Sequence, residues 1–119
     1  MKAEALEQYM LSKEKAFMDY PFDDVTPVLK VGKKMFALIG SIGGLSVSLK
    51  CDPDDAIYLR DMHPAIIPGY HLSKKHWNTV ILDGSLEDEL IKSLIDHSYD
   101  LVVKSMPKGE RLELFGSLL

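Results

Sequence analysis

The sequence predicts an α+β fold in which an antiparallel sheet carries helices on one face, with the order α-β-β-β-α-β-β-α. Three observations predict it. The two ends of the chain carry apolar residues at helical spacing, the middle reads as short strand-length runs punctuated by Gly and Pro, and one of those runs alternates strictly. At 119 residues the chain fits one domain and buries about two-thirds of its unfolded surface, enough for a core without staples.

A first helix spans about Ala3 to Phe17, with Leu6, Tyr9, Met10, Ala16 and Phe17 on its apolar side. Pro21 then breaks the pattern. A strand from Thr26 to Val31 and another from Lys34 to Gly40 join through Gly32-Lys33, where Gly first suits a type II′ turn. Pro27 marks the first of these as an edge strand, or delays its start.

Leu45 to Cys51 alternates, with Leu45, Val47, Leu49 and Cys51 on one side and Ser46, Ser48 and Lys50 on the other. The polar side predicts a sheet whose second face is at least partly wet. Asp52 caps a short helix to about Met62, with Pro53 at its first position. Strands at Ile66 to Tyr70 and Trp77 to Leu82 pair across a tip at Ser73 to His76. Ser85 caps a long final helix that Pro107 and Gly109 end. Residues 1–110 form the domain, and 111–119 an apolar tail with Leu112, Leu114, Phe115, Leu118 and Leu119.

The single cysteine, the charged start after Met1 and the lack of a long apolar run predict a cytoplasmic protein with no membrane partner. A monomer without cofactor or metal is expected. Net charge is −4, but the charges segregate. Val25 to Cys51 and Pro64 to Leu82 hold six lysines and no acid, leaving −10 for the other segments. Folded as one sheet with helices on one face, they give a basic sheet side and an acidic helical side. Helices that simply carry acids on solvated faces account for the same counts.

No catalytic signature is visible, so a non-enzymatic protein is expected. Gly40-Ser41-Ile42-Gly43-Gly44 lacks the Lys-Ser/Thr ending of a phosphate loop and joins two strands, which makes it a turn. Cys51 lies on the apolar phase of its strand, as a core thiol does. His63, His71, His76 and His97 show no metal-ligand spacing. The acids at the two later helix starts serve as caps and dipole partners.

The stretch Tyr70 to Val80 concentrates the only Trp, two His and the pair Lys74-Lys75. Two readings stay open: a solvated hairpin tip with Tyr70 and Trp77 as buried anchors, or a nucleic-acid contact in which lysines meet phosphate and Ser73, Asn78 and Thr79 add hydrogen bonds.

Four blocks resemble the MmcQ/YjbR family: Lys30 with Gly32 to Ala37, Ser48 to Pro53, Pro68 to His71, and Lys74 to Val80. Ser98 to Val102 also fits, and the similarity runs from about Leu6 to Lys108. The resemblance implies a frataxin-like (CyaY-like) sandwich and DNA binding through two basic hairpins in a double-wing arrangement. It points to Lys33, Lys34, Lys74, Lys75, His76 and Asn78. Lys50, from the acid-free strand between them, joins that set. The alternative is a protein-interaction or small anionic-ligand module that uses the polar sheet face and the apolar tail.

Overall fold

The computed structural model describes residues 1–116. Its elements are α1 (Ala3–Leu11), β1 (Ala16–Asp19), β2 (Val28–Val31), β3 (Lys34–Gly40), β4 (Ser46–Lys50), α2 (Pro53–Met62), β5 (Ile66–Pro68), β6 (Trp77–Ile81), α3 (Asp88–Ser105) and α4 (Lys108–Phe115). One antiparallel sheet of order β1-β2-β3-β4-β6-β5 carries the helices on one face. The α+β class and the one-sided helical layer are as predicted.

The core lies between the sheet and α1 and α3, where Leu6, Met10, Leu29, Phe36, Val47, Val80, Ile91 and Ile95 are fully or almost fully buried. α1 runs alongside α3 in the same direction. The Met1 amino group lies 3.4 Å from Asp88, Tyr9 donates to Asp96 at 2.6 Å, and Lys13 pairs with the same carboxylate.

Three predicted elements are corrected. The first helix stops at Leu11, and Ala16–Asp19 is an edge strand that pairs with β2. The apolar spacing breaks at Lys13-Glu14, where a helix would have turned charge toward the core. Lys15 instead adopts φ 62°, which redirects the chain. Ser85 does not cap α3. Its amide and hydroxyl bind Asp83 at 2.9 and 2.6 Å, and the helix begins at Asp88. The predicted boundary at residue 110 falls inside α4, whose Leu114 and Phe115 pack on the core. Leu118 and Leu119 lie outside the described residues.

The second face of the sheet is not wet at its centre. Ser46, Ser48 and Thr79 are 2%, 4% and 1% exposed. Ser48 and Thr79 share a 2.8 Å hydrogen bond, and Thr79 also accepts from the Tyr70 amide at 3.0 Å. The two long connections at residues 20–27 and 69–76 fold over this face. Phe22 from the first meets Tyr70, His71 and Leu72 from the second around a cleft of about 200 Å³ above Leu38. Alternation marked the two faces correctly, while the cover comes from loops that carry no periodic signal.

Candidate functional site

Neighbouring strands run in opposite directions, so the β2–β3 turn, the end of β4 and the start of β6 share one end of the sheet. Lys33 and Lys34 occupy the first of these places, Lys50 the second, and Lys74, Lys75 and His76 lie in the connection that leads into β6. The Cys51 amide donates to the His76 carbonyl at 2.8 Å, tying the last two together. From β3 to β6 is two strand spacings, about 10 Å.

Gly32 alone in its turn has positive φ, 62°, as a type II′ turn requires. Lys33 is exposed at the tip. Lys34 is exposed as well, but its ammonium donates to the Ser105 hydroxyl of α3 at 3.1 Å and so leans to the helical side. α4 covers the turn from that side: a Cβ at Gly32 meets Glu110 Oε1 at 2.7 Å and Met106 and Leu114 at 3.1 Å. The first hairpin is therefore a supported turn with an acid beside it, not a free wing.

The 69–76 connection is held at several points. Ser73 accepts from the Trp77 amide at 2.9 Å, Arg60 of α2 donates to the Lys74 carbonyl at 2.8 Å, and the Lys74 ammonium donates to the Gly69 carbonyl at 2.9 Å. Lys75 and His76 are exposed. Lys50 is half-buried on the second face, opposite Trp77. Lys30, on the same face, is bound to Asp19 at 2.8 Å, and the hydrogen bond from Lys30 holds that carboxyl below its ordinary value. Asp52, Asp54 and Asp55, at the start of α2, share this end of the sheet from the helical side.

Two residues are corrected. Asn78 is 3% exposed and points toward α2, where its Nδ2 donates to the Ala56 carbonyl at 3.3 Å. It does not reach the surface as a nucleic-acid contact. The phase of β6 explains this, because Asn78 shares a face with the core residue Val80. Tyr70 is not a buried anchor. It is half exposed and lies against His71 with the two rings inclined at 58° and centroids 4.1 Å apart, while His71 itself holds φ 58°. Trp77 is partly buried.

A second concave region was invisible in the sequence. The groove between α2 and α3 brings Cys51, Leu59, Leu94 and His97 together from three separate elements. Burial pushes the Cys51 thiol up to about 11, with Asp55 and Asp52 adding to the effect. Among the described residues, no group of three His, Cys, Asp or Glu is placed to hold a metal ion, and no helix is long and apolar enough to cross a membrane.

A model of the YjbR family matches residues 11–101. The chain belongs to the YjbR family. It is 38% identical over 112 residues to the YjbR protein of Escherichia coli strain K12, covering 93% of this chain and 95% of that one. It is 34% identical over 93 residues to YbdF of Escherichia coli O157:H7, covering 77% and 76% of the two chains. The crystal structure of the Deinococcus radiodurans protein DR2400, of family domain DUF419, superposes with a TM-score of 0.88 at 42% identity, covering 95% of this chain and 87% of that one. A Pseudomonas syringae protein superposes at 0.75 with 30% identity, covering 85% and 98%. The YjbR membership agrees with the resemblance carried by the four sequence blocks.

Proposed function

We propose that the end of the sheet formed by the β2–β3 turn, the β4 terminus and the 69–76 connection binds the phosphate backbone of DNA, and that the protein acts by binding rather than catalysis. One observation carries this reading: Lys33, Lys34, Lys50, Lys74 and Lys75, separated by as many as 42 positions in the chain, converge on one end of one sheet. Lys33, Lys75 and His76 stand exposed there, and the intramolecular bonds of Lys34 and Lys74 are to neutral acceptors that phosphate can replace. Asn78 leaves the set of contacts because it is buried.

Contacts from about four lysines give a slope of log K against log salt of roughly −3 to −4. Titration of labelled duplex at two salt concentrations tests this, with Lys74→Ala/Lys75→Ala alongside. Binding that weakens with salt and a slope that becomes shallower by about two in the double variant are expected. Absence of binding at low salt, or an unchanged slope in the variant, sinks the proposal.

A protein-interaction module is the second reading, and α2 favours it. Ile57, Tyr58 and Met62 are 57%, 62% and 55% exposed on that helix. A partner that uses this face is lost from Tyr58→Ser/Met62→Ser and retained by the lysine variant.

A further inference from the structure

Asn78 is the most deeply buried polar side chain with an unmet hydrogen-bonding atom among the described residues. Its amide nitrogen donates to the Ala56 carbonyl at 3.3 Å, but Oδ1 has no partner. A buried acceptor left unmet costs about 1–3 kcal/mol. The side chain forms part of the wall of a small chamber of about 10 Å³, whose remaining surface is mostly apolar, with Leu49, Ile66 and Val80 prominent. That volume matches one water-sized group.

The chamber does not end in the core. Cys51, Leu59, Leu94 and His97 line it and also line the groove between α2 and α3, which holds about 270 Å³. The two spaces therefore adjoin across four shared residues: an outer groove beside Tyr58, Leu59, Leu90 and Leu94 with Asp55 and Ser93 also on its wall, and a narrow inner chamber whose wall includes Asn78. His97 stands between them, with Nε2 already accepting from the Asp52 amide at 3.3 Å.

We propose that this cleft is a binding site for a small, uncharged, one-ring molecule carrying a single O–H or N–H donor. The ring occupies the groove between α2 and α3, and the donor reaches Asn78 Oδ1. Size supports one ring, because 270 Å³ lies just below the roughly 300 Å³ at which sites for drug-sized ligands begin. Chemistry supports the absence of charge, because Asp55 on the outer groove disfavours an anion and an ionised group entering the mostly apolar inner chamber would lose its hydration there. This site lies on the helical side of the sheet and does not depend on the nucleic-acid reading.

Phenol and toluene make a matched pair of probes, since they share a ring and differ in the donor. Titrated into the isotope-labelled full chain and followed by amide and side-chain NMR shifts, phenol is expected to perturb Cys51, Leu94, His97 and the Asn78 side-chain amide. It is expected to bind about five-fold more tightly than toluene, the worth of one net hydrogen bond. In Asn78→Ala that preference disappears while the ring still binds. Equal affinities for the two probes on the unmodified protein overturn the proposal without recourse to a variant. So do shifts confined to other regions, no shifts up to the solubility limit, or a preference that survives in Asn78→Ala.

Discussion

The Ser98 hydroxyl of α3 donates to the Phe36 carbonyl of β3 at 2.6 Å, and the same oxygen accepts from the Lys50 amide of β4 at 2.9 Å. The register explains why a helix side chain is needed there. β3 shifts against β2 at a bulge beside Phe36, and its ladder with β4 ends at Ala37↔Leu49, which leaves both backbone groups without a strand partner. Ser98, fully buried, closes the gap. Phe36 is then free to turn its ring into the core edge-on to Tyr99, with centroids 5.3 Å apart.

Ser98→Ala leaves those two buried backbone groups unmet and is expected to destabilise the fold by about 1–3 kcal/mol. Urea unfolding measures this as a lower midpoint with an unchanged slope. Ser93→Ala, on an exposed position of the same helix, serves as the control and stays within about 0.5 kcal/mol.

Gly69 and Gly32 separate two kinds of glycine requirement. A Cβ at Gly69 meets the Trp77 Cβ at 2.8 Å and the Trp77 carbonyl oxygen at 2.9 Å, where only movement of the β5–β6 backbone makes room. At Gly32 the closest atom is the end of the flexible Glu110 side chain, so the main cost is the left-handed φ of 62°. Gly69→Ala is expected to cost about 2–3 kcal/mol. Gly32→Ala is expected to cost about 1 kcal/mol. Equal losses in denaturant unfolding contradict this ordering.

Acid destabilises the fold through carboxylates that are held ionised. Burial by itself raises the Asp96 carboxyl, but hydrogen bonds from Lys13 and Tyr9 and the lysine charge outweigh it and leave the value below normal. Asp19, Asp23 and Asp83 are lowered as well, chiefly by hydrogen bonds from Lys30, the Val25 amide and Ser85 respectively. A folded value below the unfolded one adds stability above the ordinary pKa of about 3.9 and loses it as pH falls through the lower folded value. Stability is therefore expected to fall below about pH 4. Asp96→Asn is less stable at neutral pH by about 1 kcal/mol, and its deficit shrinks in acid. Unfolding curves across pH measure both effects.

Cys51 is 5% exposed, and its thiol is pushed up to about 11, first by burial and then by Asp55 and Asp52. Its alkylation by iodoacetamide at pH 8 is expected to run roughly two orders of magnitude slower than that of an ordinary cysteine of pKa about 8.5. The rate should keep climbing with pH toward 11 rather than levelling off near 8.5. Unfolding in denaturant restores the ordinary profile, which mass spectrometry of the single labelled site reads directly.

Much of this fold can be read from local pattern. The apolar run of β3, the alternation of β4, the II′ turn at Gly32 and the Asp52-Pro53 start of α2 each follow from backbone preferences that act over a few residues. The separation of lysines from acids along the chain is equally legible, as are the blocks that mark the family. The inward direction of Asn78 was also available, since it lies in phase with Val80, but its place in a basic, polar stretch masked that signal.

The tertiary structure alone decided four things: that Ala16–Asp19 pairs as an edge strand, that Ser98 bridges β3 and β4, that loops bury Ser48 and Thr79, and that five lysines share one sheet end. Each depends on contacts between residues distant in the chain. A two-residue period tells which side chains share a face, but what covers that face comes from connections whose course no local period records. The sequence by itself therefore determined the elements and their polarity, and long-range packing determined which polar groups became structural and which remained free to bind.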